Sequence, residues 1–495
     1  KKKMAATTNF LNIVGRRFLS SNSFLSSCSN RQWIRSSSTI GRRESNKSLF
    51  TQLDDFFDKK SYYSTNTMAQ TPFASGLLAS RGSSQGTSRS VVEKFFNAKG
   101  DFRLEEALKE RDYWARFAPQ PLSMAQLSKH AEEIYAWKMK GDTAIDPKKE
   151  RNEGIAYGFL RDNILIRLAH MSLDLESLPS SMFKDPNLQE VYLLYIESIA
   201  KISTFCEMQD QTETFKAFRK ELKGIHDSHY SIVVLIGSAL LAFKESEHRD
   251  ATDPIFTQIS SSLDSFFLTR IGVRTLISQH LELYSDEVVS GVSNSQWIGL
   301  IDPQCRPIDI CEQAIESASF MASQLYGDVP NVRLLGNAEA RNHSFSYIPS
   351  HLYHIVFELL KNSFRATIES NRKSFDQGND YPPISVILSI GDEDLTIKIA
   401  DEGGGISRRE MAFIWNYAYT TAERPDSTPM ADMNNAPLAG FGYGLPISRL
   451  YARYLGGDIK ILSMDGFGTD AYVYLRLLAS KSVEVVPWRQ EYLSL

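Results

Sequence analysis

Cysteine is scarce: Cys28, Cys206, Cys305 and Cys311 are the only four in 495 residues. They are too few and too scattered for a disulfide framework or a zinc site, which points to a reducing compartment. Cys305 and Cys311 lack a usual metal-ligand spacing and read as plain thiols. No uninterrupted apolar run approaches the roughly 20 residues that cross a bilayer, so no membrane span is expected. Charge of one sign is also lacking. A net charge of −4 and a pI near 6.2 give no overall pull toward nucleic acid or anionic membrane. Two familiar ATP-using machines are excluded by missing text: there is no G-x-x-x-x-G-K-S/T run, hence no P-loop, and the H-R-D-L-x-x-x-N and D-F-G texts of ordinary protein kinases are absent. No internal repeat is present.

Acidic residues are missing from the first stretch in particular. Up to Phe50 there is one, Glu44, against Arg16, Arg17, Arg31, Arg35, Arg42, Arg43 and several lysines, with many serines between them. In "FLNIVGRRFLSS" the apolar and basic residues fall on opposite helical faces. That composition predicts a mitochondrial or plastid presequence, with cleavage between about Asn30 and Ser80; a disordered basic tail is the plainer alternative. The run Lys1-Lys2-Lys3 ahead of Met4 is odd for a start. Residues 1–80 are thus read as presequence and linker, and Ser/Thr/Gly richness continues to about Ser90.

What remains is ordinary globular text, 42% hydrophobic and 23% charged. From Val91 to about residue 290 it is helical and poor in glycine. Apolar residues recur at three- and four-residue spacing in "LSMAQLSKHAEEIYAWKMK", "GFLRDNILIRLAHMSLDLESL", "LQEVYLLYIESIAKISTF", "FKAFRKELKGIHDSHYSIVVLIGSALLAFKE" and "DSFFLTRIGVRTLISQHLELY". Pro121, Pro179 and Pro186 stand where helices should begin or end. Several long helices with short connections predict a bundle. Between about 300 and 480 the pattern changes: a helix over Ile308–Leu325, an extended "NVRLLGN", a polar-striped helix from Pro349, a hairpin "ISVILSI"/"LTIKIAD", and a second strand pair, "DIKILSM" and "TDAYVYLRLL". This is an α/β sandwich, followed by a tail over 481–495.

The chemistry-bearing residues lie in the second part. His354, Glu358, Asn362 and Arg365 follow at i, i+4, i+8 and i+11 on one helical face. A carboxylate such as Glu358 can orient and deprotonate a hydroxyl, an amide oxygen such as that of Asn362 can ligate Mg²⁺, and a guanidinium such as Arg365 can hold phosphate. A solvated helix face would look similar, but the glycine segments argue against it. Asp401 ends a strand ahead of Gly403, Gly404 and Gly405, where a carboxylate can accept the adenine amino proton. Gly440, Gly442 and Gly444 lead into the helix "ISRLYARYL", the arrangement that exposes backbone N–H groups to phosphate. Thr469, at a strand start, could also reach the base.

These four boxes, in this order, resemble the GHKL ATPase superfamily. Within it the chain resembles the mitochondrial pyruvate dehydrogenase kinases and their branched-chain relatives, from "RFAPQPLSMAQL" (Arg116–Leu127) to about Leu478. The likeness is strongest in "YIPSHLYHIVFELLKNSFRAT", "NYAYTTAERP" and "APLAGFGYGLPISRLYARYLGGD". The resemblance implies an N-terminal four-helix bundle followed by a GHKL (Bergerat-type) α/β sandwich ATP-binding domain. It implies Glu358 as general base with His354 beside it, Asn362 as Mg²⁺ ligand and Asp401 as reader of adenine. Gly440, Phe441, Gly442, Tyr443, Gly444 and Leu445 become the triphosphate loop, with Lys361, Arg365, Thr420, Thr421 and Thr469 bordering the nucleotide.

The implied activity is transfer from MgATP, with K⁺ as a further candidate ion, to a serine of the decarboxylase α chain in the mitochondrial matrix. Docking would be to a lipoyl domain of the acyltransferase core, and the assembly a homodimer. His229 aligns with a histidine of the family, but serine transfer through Glu358 is the better reading. A regulatory pocket is expected at His226, His229, Arg270 and Arg274; a third arginine expected there is replaced by His226. "VPWRQEYLSL" offers Trp488 but no Asp-Trp tail text. "TAERPDSTPMADMNNAPLAG" reads as a long lid. The lid text and "GYGLPISRLYARY" favour pyruvate dehydrogenase as the target complex, whereas "RIGVRTL" leans toward the branched-chain complex. A conformational GHKL ATPase would lack the bundle text, and an inactive lipoyl-binding scaffold would not need the complete set of Glu358, Asn362, Asp401 and loop glycines.

Overall fold

A computed structural model describes residues 95, 102–139, 147–208, 212–284, 299–420, 442–478 and 482–488. The expected presequence, Cys28, Thr421, Gly440, Phe441 and the expected lid lie outside the described residues.

The first part is helical: α1 (Leu104–Ala115), α2 (Met124–Met139), α3 (Pro147–Glu176), the short α4 (Ser180–Phe183), α5 (Pro186–Ser203), α6 (Thr212–Ser228), α7 (Ile232–Ser246) and α8 (Pro254–Leu283). Two of the starts are written in the local sequence. Asp185 and Asp253 are N-caps whose side chains accept from the backbone N–H two residues on, at 2.9 and 3.0 Å, each followed by proline at the first helical position. Helix α8 packs against α3, and α5 packs against α3 and α7.

The long stretch that periodicity reads as one helix is two. It breaks at His229–Ser231, between α6 and α7. Guanidiniums from α8 bond to carbonyls here: Arg274 donates to His226 O in the last turn of α6 at 3.2 Å, and Arg270 to His229 O in the break at 3.0 Å. Cations on the orphan carbonyls of a helix C-terminus end it favourably. By length and composition the stretch Glu213–Ser246 is apolar enough to cross a membrane, a test that a buried core helix also passes. In this fold its apolar residues, Phe215, Phe218, Leu222, Ile232, Ile236 and Leu240 among them, are core.

The second part contains β1 (Asp302–Cys305), α9 (Pro307–Tyr326), β2 (Val332–Gly336), α10 (Ala338–Asn342), β3 (Phe345–Tyr347), α11 (Pro349–Asp376), β4 (Ile384–Ile390), β5 (Asp394–Asp401), α12 (Gly444–Tyr454), β6 (Asp458–Met464) and β7 (Gly468–Arg476). The main sheet runs β2-β4-β5-β7-β6; β2 pairs parallel with β4, and every other pairing in it is antiparallel. Alternation along β4, β5 and β7 buries Ile384, Val386, Leu388, Leu395, Ile397, Ile399, Val473 and Leu475, the side on which α11 meets β5. Both expected strand pairs are present. The small antiparallel pair β1–β3 was not anticipated.

Helices and sheet share one hydrophobic core. They are also tied by a buried ion pair: Arg167 on α3 donates to Glu484 at 3.0 and 2.5 Å, and neither side chain is exposed. Glu484 further accepts from the Tyr454 hydroxyl at the end of α12 (2.9 Å) and from Leu122 N (2.8 Å). The segment around Glu484 also bonds to Leu122 and Met124 through its backbone.

Candidate nucleotide and phosphoryl-transfer site

Helix α11 carries the polar stripe. Its apolar side, Ile355, Val356, Leu359, Leu360 and Phe364, is buried, which leaves His354, Glu358, Asn362 and Arg365 half-buried on the opposite flank. Glu358 Oε1 accepts from Lys361 Nζ at 2.8 Å, one turn on. Burial pushes the Glu358 carboxyl upward, but Lys361 and then His354 outweigh it and hold it below the usual range. Burial also lowers the His354 imidazole; Glu358 opposes this and Lys361 adds to it. Both groups are therefore placed to be a carboxylate and a neutral imidazole at neutral pH. His354 lies against the Tyr451 ring at 4.6 Å, and its Nε2 is buried with no hydrogen-bond partner.

Helix α12 starts at Gly444 with its N-terminus at this carboxylate: a Cβ on Gly444 would lie 2.6 Å from Glu358 Oε2. Gly442, two residues before, has φ +68, and a Cβ there would meet Tyr419 O at 2.5 Å. Only glycine tolerates that backbone and that approach together. The ring of Tyr443 is buried against Tyr417 and Phe267, so its backbone is what faces the loop. Leu445 is half-buried and packs on the core.

Asp401, at the end of β5, completes the frame. Its Oδ1 accepts from Gly403 N (3.0 Å) and Thr469 N (3.3 Å), and its Oδ2 from the Ser363 hydroxyl (2.8 Å). Burial raises this carboxyl, and the three hydrogen bonds restrain the rise. Gly405 has φ +74 and a would-be Cβ 2.1 Å from Met464 O, which locks the turn after Asp401 onto β6. Thr469 Oγ1 meets Ser463 Oγ at 2.9 Å. Thr420 is half-buried at the edge of the described residues.

The structure therefore brings Glu358, His354, Lys361, Gly444, Asp401, Gly403 and Thr469 into one frame of α11, α12 and the β5–β7 end. Sequence reasoning missed Ser363, the partner of Asp401; its signal was a hydroxyl on the buried flank of an otherwise apolar helix side. The donor set suits a nucleotide: Asp401 Oδ2, with one donor on it, keeps acceptor capacity, and backbone N–H groups at a helix start suit phosphate. Among the described residues no group of three His, Cys, Asp or Glu could cage a metal.

The expected regulatory residues also gather. The His226 Nε2 and Ser278 Oγ are 3.1 Å apart, and His229 Nε2 and Ser198 Oγ 2.9 Å. Burial, then Arg274, lowers His226 to about 4; burial, then Arg270, lowers His229 to about 3. Arg270 and Arg274 lie close enough that Arg270, after burial, depresses Arg274 to about 10.

A mixed sheet with a carboxylate-bearing helix and a glycine-led helix start defines a GHKL-type ATPase. Residues 347–479 match the family described as histidine kinase-, DNA gyrase B- and HSP90-like ATPases. Residues 135–302 match the family described as mitochondrial branched-chain alpha-ketoacid dehydrogenase kinase. The chain is 35% identical to the mitochondrial pyruvate dehydrogenase (acetyl-transferring) kinase isozyme 4 of Ictidomys tridecemlineatus, over 77% of this chain and 86% of that protein. Isozyme 4 of Homo sapiens gives the same values. Isozyme 1 of Mus musculus is 35% identical over 76% of this chain and 81% of its own length. The chain belongs to the mitochondrial dehydrogenase kinase family, the pyruvate dehydrogenase kinases and their branched-chain relatives. It is an ATP-using protein-serine kinase.

Proposed function

We propose that this kinase phosphorylates a serine on the decarboxylase α subunit of the pyruvate dehydrogenase complex in the mitochondrial matrix, and so inactivates the complex. The observation that carries the reading is the contact of Glu358 with Gly444, which sets a carboxylate at the start of a glycine-led helix. Glu358 orients the serine hydroxyl and accepts its proton as the serine oxygen bonds to the γ-phosphorus and ADP departs. Its lowered pKa makes it a weak base, which suits a loose phosphoryl-transfer transition state where orientation matters more than early proton removal. His354 supports Glu358, and Lys361 keeps it ionised. Asn362 would hold the magnesium ion, which would supply charge to offset the phosphates; Asp401 and Thr469 would read the adenine; Arg365, Thr420 and the described part of the loop, Gly442–Leu445, would border the phosphates.

The helices upstream serve as a four-helix bundle for docking and regulation (91–290), with the catalytic domain at 300–480. A cavity of about 350 Å³ lined by Leu122, Leu127, Ile155, Phe159, Leu276 and Leu283 supports docking of an aliphatic lipoyl-lysine arm. Exposed Leu462, Met464 and Phe467, on the edge strand β6 and its turn, support a homodimer. The electropositive pair Arg270 and Arg274 supports a small-anion regulatory pocket, with His226 and His229 neutral beside it.

The test is labelled ATP with each purified decarboxylase component in turn. Label on a serine of the pyruvate component is the expected result, and label on the branched-chain component alone would overturn the choice of complex.

A further inference from the structure

Helix α8 does more than fill the helical layer. Ser260, Asp264 and Phe267, at i, i+4 and i+7, share one face, and that face holds the segment Asn416–Tyr419. Ser260 Oγ accepts from Tyr417 N at 3.1 Å, and Asp264 Oδ1 accepts from the Tyr417 hydroxyl at 2.8 Å. The Phe267 ring lies 5.5 Å from that of Tyr417 and 6.0 Å from that of Tyr443. Asn416 Nδ2 donates to Ala251 O at 3.2 Å. Tyr417 is fully buried, and the next residue, Ala418, has φ +60, a backbone that a non-glycine residue keeps only where its surroundings impose it.

Tyr417 then meets Tyr443, ring to ring at 5.0 Å. Tyr443 is the N-cap of α12, and the following Gly444 sits against Glu358. A continuous chain of contacts thus runs from a helical-domain carboxylate to the first turn of the phosphate-facing helix. Packing alone would not need a carboxylate here, since an apolar side chain of similar size fills such a site without the desolvation penalty. A hydrogen bond to the hydroxyl fixes the rotation and depth of the Tyr417 ring, and with it the position of Tyr443.

We infer that Asp264 is a positioning residue for nucleotide binding: through Tyr417 and Tyr443 it holds the N-terminal turn of α12 at the spacing from Glu358 that MgATP requires. This rests on the nucleotide-site reading proposed above. The role is distinct from the ion pair Arg167–Glu484, which grips the other end of the same helix.

The experiment is calorimetric titration of the full-length chain with MgATP, with the folded state of each variant checked by circular dichroism at the same temperature. Tyr417→Phe, which removes one oxygen and keeps the ring, is expected to weaken binding about five- to tenfold, the scale of one buried hydrogen bond. Asp264→Ala should weaken it similarly, and the double variant no further, because both act through one contact. Asp264→Asn still presents an Oδ1 acceptor and should stay within about twofold of the parent. Unchanged affinity in Tyr417→Phe, or Asp264→Asn as weak as Asp264→Ala, would overturn the positioning role. If Asp264→Ala does not fold, Tyr417→Phe and Asp264→Asn decide alone. A parent protein that binds no MgATP would instead overturn the nucleotide-site reading, and the positioning role with it.

Discussion

Gly444 and Glu358 are in contact across two helices: a methyl group on the first would reach within 2.6 Å of the carboxylate of the second. The atom in the way is the far end of a flexible side chain, so the fold can absorb the change while the proposed base, Glu358, would be displaced. Gly444→Ala is therefore expected to leave the thermal midpoint unchanged or slightly raised, because alanine at a helix start loses less chain entropy. Phosphoryl transfer should fall by roughly tenfold to a hundredfold, the effect of moving a reacting group by about an ångström. Parallel melting curves and steady-state rates check this. A variant with full activity would show that Glu358 has slack at this contact.

Acid should loosen the fold earlier than carboxylate protonation would. Burial, and then Arg270, Arg219 and His354 respectively, lowers His229, His280 and His351 to about 3 each. In the unfolded chain a histidine titrates near 6.5. Between those values the unfolded state binds the protons and the folded state does not. The stability is therefore fully present above about pH 6.5 and is lost as pH falls toward 3, by roughly 1.4 kcal/mol per pH unit for each residue. A thermal midpoint clearly lower at pH 5.5 than at 7.5 is expected. A flat profile across that window would mean that these imidazoles take up protons in the folded state.

Removing the cation from the buried pair Arg167–Glu484 strands a carboxylate with no exposure. Arg167→Met is expected to destabilise by about 3–5 kcal/mol, and Arg167→Lys by less. Denaturant midpoints at constant slope measure it. A loss below about 1 kcal/mol would mean that Glu484 finds water or a proton instead.

Much of the architecture was legible before the structure because it is periodic. "ISVILSI" alternates and becomes β4 with Ile384, Val386 and Leu388 inward. The spacing of His354, Glu358 and Asn362 put them on one flank of α11, where they are. What escaped was non-local. The bridge between Ser123 and Val483 joins two segments with no pattern of their own, and β1–β3 is too short to alternate. The break between α6 and α7 depends on arginines from α8, so no window over Phe215–Glu245 could reveal it. Within the site, the residue types pointed to ATP, but the pairing of Lys361 with Glu358, of Ser363 with Asp401 and of Asp264 with Tyr417 required distances.

Serine phosphorylation through Glu358 is tested most directly by γ-labelled ATP and the pyruvate decarboxylase component, with the parent chain and Glu358→Gln side by side. Glutamine keeps an acceptor for Lys361 but cannot take the serine proton. The parent should label a serine of the α subunit, and the variant should lose transfer by about a hundredfold or more while MgATP affinity by calorimetry stays within about threefold. Full transfer by Glu358→Gln, or no labelled serine with the parent, would contradict the account.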